Sequence, residues 1–170
     1  MQSAKAGRGT LYLTTQQLTQ YLVAFIFYAG VARFITQAEV GLWSILAAST
    51  AVFATLTLLG LPVATQKYVS ENYGRGDLCA AASVSRVSFT VIALSTIPIS
   101  TGVLLLSPTL STLILGGAEY TIPFALTISA SAILNFTALY GADMLALGMF
   151  PEFAIQNLAF ILVSRASGLA

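Results

Sequence analysis

The chain alternates between long stretches without charge and short polar breaks. Leu11 to Phe34 holds one charge, Arg33, and ends in the strongly apolar run LVAFIFYAGVARF. No Asp, Glu, Lys or Arg occurs between Glu39 and Lys67, between Arg86 and Glu119, or between Glu119 and Asp143. A helix needs about 20 mostly apolar residues to cross ~30 Å of hydrocarbon. The pattern therefore predicts spans over residues 11–34, 40–64, 84–106, 121–143 and 152–170, the last beginning near Glu152 and interrupted by Arg165. The first stretch is a retained helix rather than a signal peptide, because its opening TTQQLTQ is polar and its length exceeds an h-region.

Breaks within these stretches carry structural information. Pro62 in Gly60-Leu61-Pro62 cannot donate to a helix ladder and should kink or loosen the second span. Beyond it, TQKYVSENYGRGD reads as a helical extension in the loop over 67–83. That extension should stop at Gly74 or Gly76, which suit the residue after a helix end, with Asp77 capping the next helix. Pro98 falls inside the third span, where neighbouring helices can satisfy the freed carbonyl. Pro108 and Gly116-Gly117 mark a short interfacial piece, and Trp43 and Tyr120 suit the aromatic belt at the membrane surface.

Composition agrees with the pattern. Hydrophobic residues make up 57% and charged residues 8% of the 170, against roughly 25% charged in a soluble domain. So few charges cannot cover the surface of a water-soluble globule. The net charge of +1 offers no basic field for nucleic acid. Histidine is absent, which removes the commonest general base and metal ligand, and the single cysteine, Cys79, forms no intrachain disulfide. HExxH, GxSxG and glycine-rich phosphate loops are also absent. The reading is a non-enzyme with neither metal nor cofactor.

The basic residues are unevenly placed. Lys5 and Arg8 precede the first span and Lys67, Arg75 and Arg86 follow the second, while the loop between the first two spans holds only Arg33. The positive-inside rule then puts the N-terminus in the cytoplasm.

Polar residues within the spans are the candidates for chemistry. At 100° per residue, Thr10, Thr14, Gln17, Tyr21 and Tyr28 fall on one narrow face of the first helix. Thr127, Ser131 and Asn135 form a weaker stripe on the fourth. Interhelical hydrogen bonding is the simpler reading of each stripe, and lining of a water-filled cavity is the other. Asp143, three residues after Tyr140, is either a membrane-surface residue or a partly buried acid able to couple to an ion. Arg33 reads as a snorkelling end residue or as a cation holding phosphate. Arg165 is an interface residue or a buried functional charge.

Three pieces in order carry a family resemblance. GRGTLYLTTQQLTQYLVAFIFYAGVARFITQAEVGLWSI, with its junction at Arg33, Glu39, Gly41 and Trp43, is similar to the first two helices of polysaccharide-type flippases. LLGLPVATQKYVSENYGRGD resembles the kinked second helix, its extension and the Gly-Asp turn of that family. LILGGAEYTIPFALTISASAIL resembles its outer loop and fourth helix. Together they cover most of residues 7–140. The superfamily also includes multidrug and toxin extrusion transporters and lipid II flippases.

The resemblance implies a two-lobe transporter that flips lipid-linked oligosaccharide across the cytoplasmic membrane by alternating access. Its partners would be the bilayer, the lipid-linked glycan, a monovalent cation in some members, and a C-terminal lobe beyond this chain. Residues 1–170 are expected to be a fragment holding most of the N-terminal lobe. Two departures stand out: LALGMFPEF lacks the basic junction usual between the fourth and fifth helices, and the chain has far fewer than 12 to 14 spans. Sugar-binding hydroxyl and amide groups make Gln17 and Tyr21 the first candidates for substrate contact, with Asn135 and Arg33 behind them. An ion-coupled multidrug-type exporter and a non-transporting membrane subunit are the alternative readings. The first helix holds no acid deep within it, which weighs against the exporter.

Overall fold

A computed structural model describes the backbone of residues 2–31 and 33–167 and the side chains of residues 9–30 and 33–161. Among these, seven α-helices follow one another: α1 (Gln2–Val31), α2 (Gln37–Leu58), α3 (Leu61–Gly74), α4 (Leu78–Leu105), α5 (Ser107–Leu115), α6 (Thr121–Ala146) and α7 (Phe150–Ser167). A single 3₁₀ turn, Ala118–Tyr120, leads into α6. No strand occurs among the described residues, and the all-α class expected from the charge-free stretches is what the chain adopts.

Three helical segments are long and apolar enough to cross a membrane: Gln37–Leu58, Leu78–Leu105 and Ala118–Ala146. They overlap the stretches 40–64, 84–106 and 121–143. Helices α1 and α7 lie over the other two, but Thr and Gln in the first half of α1 and Glu152, Gln156 and Asn157 in α7 dilute their apolar character.

Proline marks the starts of the helices. Pro62, Pro108, Pro123 and Pro151 each fall in the first turn of a helix, where the missing amide has no intrahelical partner to lose. Only Pro98 lies inside a helix. At the other end of α5, Gly116 takes φ 82° and closes the helix in the left-handed conformation that a Cβ disfavours.

The junction between α2 and α3 is sharper than the kink expected. Leu59 and Gly60 both have positive φ, 51° and 73°, so the helix breaks completely before Pro62 and restarts. Two consecutive left-handed residues interrupt the helix ladder, and the chain restarts as α3 with Pro62 in its first turn. Glycine adopts such a φ freely, whereas Leu59 pays for it.

At the far end of α3 the helix stops at Gly74, and Asp77 caps α4 through its carboxylate, which accepts from the amide of Ala80 at 2.9 Å. Helix α4 thus begins before the expected span, and Arg86 sits in its third turn. Replacing Asp77 by alanine is expected to cost about 1 kcal/mol, read as a lower midpoint when the protein is unfolded with SDS in mixed micelles. The exposed Arg75–Glu71 pair beside it, at 2.6 Å, should contribute no more than ~0.5 kcal/mol.

The chain divides into two compact units, one of Met1–Thr36 with Leu147–Ala170 and one of Gln37–Ala146. In the first, α1 packs on α7. Gly9 makes this approach possible, because a Cβ there would come within 2.8 Å of the Phe150 ring.

In the second unit, α6 lies against α2, α3, α4 and α5, and α3 also packs along α4. Its core has two parts. Phe53, Phe124 and Ile128 form one, flanked by Leu46, Ile99, Val103 and Leu110. Val69, Ala81 and Ala146 form the other, where small side chains let α3, α4 and α6 approach closely.

Candidate functional site

Two sets of polar side chains sit within the helices, and they differ in burial. The first is the face of α1. Thr10, Thr14, Gln17, Tyr21 and Tyr28 are all exposed, Tyr21 at 65%. Gln16, one residue round the helix from Gln17, is instead 7% exposed. The helix therefore turns Gln16 inward and presents the Thr, Gln and Tyr stripe outward. Hydroxyls and a carboxamide on one helix face offer both donors and acceptors, which is the chemistry that exchanges hydrogen bonds with a polyol.

The second set is a buried seam in the unit of residues 37–146. Asn135 on α6 donates from Nδ2 to Oγ1 of Thr57 on α2 at 2.6 Å. Thr57 in turn donates to the carbonyl of Phe53 at 2.8 Å. The carbonyl of Thr57 accepts from the hydroxyl of Ser95 on α4 at 2.7 Å. That carbonyl is available because α2 ends one residue later and leaves its last carbonyls without intrahelical partners. Lower on the seam, Thr65 of α3 donates to Ser88 of α4 at 2.7 Å, and Ser85 donates to Asp143 of α6 at 2.8 Å.

Most other hydroxyls in these helices return their protons to their own helix. Thr127 bonds the carbonyl of Pro123 and Ser131 that of Thr127. Of the α6 stripe, then, Asn135 alone is seen to reach a side chain of another helix, and it is 2% exposed. Its amide is engaged in helix packing within this unit, whereas Gln17 and Tyr21 are exposed.

The charged candidates are distributed. Asp143 is half-buried and accepts from Ser85, while Tyr140, one turn before it, is 53% exposed. Arg33 is exposed just after α1, its amide bonded to the carbonyl of Gly30 at 3.2 Å. The backbone of Arg165 belongs to α7, but its side chain lies outside the described residues. Gln17, Tyr21 and Arg33 share one unit, and Asn135 and Asp143 share the other. Among the described residues no three His, Cys, Asp or Glu side chains gather as a metal site would require.

The seam partners Thr57, Thr65, Ser85, Ser88 and Ser95 escaped the sequence reading. Their signal is present on α4, where Ala81, Ser85, Ser88, Ile92 and Ser95 recur at spacings of four and three and so share a face. An open apolar groove of about 370 Å³ runs beside the seam, lined by Ser49, Val52 and Leu56 of α2, Val103 of α4, Ile114 of α5 and Ile128 of α6, among others.

Comparison with known families matches residues 6–165 to the family described as polysaccharide biosynthesis protein. Stage V sporulation protein B of Bacillus subtilis (strain 168) is 34% identical over 84 residues, which are 49% of this chain and 16% of that protein. The chain thus spans about a sixth of that relative's length. No solved structure matches the chain.

Proposed function

The chain belongs to the polysaccharide biosynthesis protein family, and from that premise we propose that it forms most of the N-terminal lobe of a flippase for lipid-linked oligosaccharide. As a member of a family of membrane transporters for polysaccharide synthesis, it is an all-α membrane protein rather than a soluble one. In the proposed arrangement the N-terminus is cytoplasmic, a second lobe completes a central cavity, and rocking of the lobes exposes that cavity to each membrane face in turn.

One observation carries this reading. Thr14, Gln17 and Tyr21 line one face of α1 and all are exposed, although the helix overlies a stretch that ends strongly apolar. Polar groups left against lipid are costly, so such a face belongs on a water-filled space or on polar partners. Gln17 and Tyr21 then hydrogen-bond the sugars, and Arg33, exposed beyond the end of the helix, holds phosphate. Asp143 is proposed as the ion-coupling acid, oriented by the hydrogen bond it accepts from the Ser85 hydroxyl.

The test is export of lipid-linked glycan by the full-length protein. A hydrogen bond to an uncharged partner contributes about 0.5–1.5 kcal/mol, and ~1.4 kcal/mol is tenfold in affinity. Gln17→Ala combined with Tyr21→Ala is therefore expected to lower export roughly tenfold at limiting substrate, and Tyr21→Phe alone by a smaller factor. Unchanged export at equal abundance in the membrane would remove the α1 face from the substrate path.

A further inference from the structure

Two cations fix the level at which the α3–α4 hairpin leaves the hydrocarbon. Thr65 of α3 donates to Ser88 of α4 at 2.7 Å. Lys67 and Arg86 each lie two residues nearer the hairpin turn than that bond, and so at about the same height. Lys67 ends the uncharged stretch that begins at Val40, and no charge follows Arg86 before Glu119. A charge within hydrocarbon is costly, which places both residues at one membrane surface.

Arg86 has no acid to pair with there. The acids of the hairpin are Glu71 and Asp77. Glu71 is taken by Arg75, and Asp77 caps α4. Arg86 is exposed and forms no ion pair among the described residues. Its guanidinium is planar, always charged and able to donate two parallel hydrogen bonds to a phosphate.

An apolar groove begins one turn deeper on the same face of α4. Arg86, Thr90, Ala93 and Ile97 recur at spacings of four, three and four and so share that face. Phe89, Thr90, Ala93, Leu94, Ile97 and Pro98 line an open groove of about 460 Å³. Phe89 forms one wall, its ring 5.6 Å from that of Phe136 on α6. Thr90 is the one polar side chain in the lining, and it donates to the carbonyl of Arg86. The groove thus asks for an apolar occupant. It runs from Arg86 to Pro98 over about 18 Å at ~1.5 Å per residue, close to the ~15 Å of one leaflet in a hydrocarbon layer ~30 Å thick.

We propose that Arg86 and this groove bind one anionic phospholipid of the adjoining leaflet, with the guanidinium on its phosphate and an acyl chain in the groove. The match is of charge and polarity along a single face: a free cation at the membrane surface, then one leaflet's depth of apolar lining. A protein helix laid in the groove has no need to carry an anion at the height of Arg86, whereas an anionic phospholipid always does. The site lies wholly within the unit of residues 37–146, and it stands whether or not the chain carries glycan.

Photo-crosslinking tests the proposal without measuring transport. The full-length protein is reconstituted in phosphatidylcholine vesicles holding a trace of phosphatidylglycerol or of phosphatidylcholine, each with a diazirine midway along one acyl chain. Mass spectrometry of the peptides then compares labelling of residues 89–98 by the two probes. One arginine near a membrane surface favours an anionic lipid about fivefold, so the phosphatidylglycerol probe is expected to label this segment about five times more. Arg86→Gln should remove the preference and Arg86→Lys should keep most of it, while Arg75→Gln, which breaks an exposed pair further along the hairpin, should leave it unchanged. Equal labelling by the two probes in the unsubstituted protein would overturn the proposal, as would no labelling of 89–98 because protein covers the face. A preference that survives Arg86→Gln would also overturn it. Addition of a polyprenyl pyrophosphate separates a bulk phospholipid from a transported one: labelling should persist, and its loss at equal mole fraction would assign the groove to the latter and overturn the proposal. The comparison in the unsubstituted protein needs no variant to fold, and export by the Gln17 and Tyr21 variants does not bear on it.

Discussion

Replacing Phe124 by alanine is expected to cost about 2–3 kcal/mol of stability, the largest effect of any single truncation in the unit of residues 37–146. The ring is 2% exposed and meets Phe53 and Ile128 at the junction of α2 and α6. In a water-soluble core a Phe→Ala change costs ~3–5 kcal/mol, from lost transfer out of water plus the cavity left behind. Between membrane helices the first contribution shrinks, because lipid solvates an exposed ring almost as well as protein does. The cavity contribution persists, since the surrounding helices relax only in part. Unfolding with SDS should therefore show a clear loss of midpoint, and Phe124→Leu, which keeps most of the volume, should recover more than half of it. A loss below ~0.5 kcal/mol for Phe124→Ala would mean that α2 and α6 are not held together by this cluster.

The second large effect concerns the order in which the seam is dismantled. Thr57→Val leaves the Asn135 amide facing a methyl group in a site almost closed to solvent, and an unpaired buried donor costs about 1–3 kcal/mol. The Ser95 bond to the Thr57 carbonyl is untouched, because it is made to the backbone. Asn135→Leu leaves Thr57 far better off, since its hydroxyl already donates to the carbonyl of Phe53. The double variant Thr57→Val with Asn135→Leu should then be more stable than Thr57→Val alone. A double-mutant cycle in mixed micelles reads this as a coupling between about 0.6 kcal/mol, the average for hydrogen bonds between membrane helices, and ~1.7 kcal/mol, the largest. Additive single effects would remove Asn135–Thr57 as the contact that fixes α2 against α6.

Much of this architecture was legible from charge spacing and punctuation. The stretches bounded by Glu39, Lys67, Arg86, Glu119 and Asp143 located α2, α4 and α6 because a charge within hydrocarbon is costly whatever the fold around it. Asp77 and Gly74 marked the α3–α4 junction through chemistry that is local to a few residues. The break at Leu59 was less legible, because nothing in a leucine announces a positive φ.

The seam was the hardest part to read. A Ser or Thr on a helix can return its proton to its own backbone, as Thr127 and Ser131 do, or reach across, as Ser95 and Thr65 do. Which of these occurs depends on the neighbour it meets. The face of α1 was found for the opposite reason. Its stripe is defined by periodicity within one helix, so its existence needed no knowledge of partners, while its exposure did.

The position of α6 has a consequence for biosynthesis. The α3–α4 hairpin carries contacts of its own, with Thr65 on Ser88 and Val69 on Ala81, and can pair as soon as both segments have left the ribosome. Helix α2 has far less to hold it at that stage, because Phe53 awaits Phe124 and the Thr57 hydroxyl awaits Asn135. Assembly is thus delayed until residues 121–146 have been translated and inserted. At translation speeds of ~5–20 residues per second, the wait from the end of α2 to the end of α6 lasts roughly 4–18 seconds, during which the insertion machinery or lipid must shelter the unfinished face of α2.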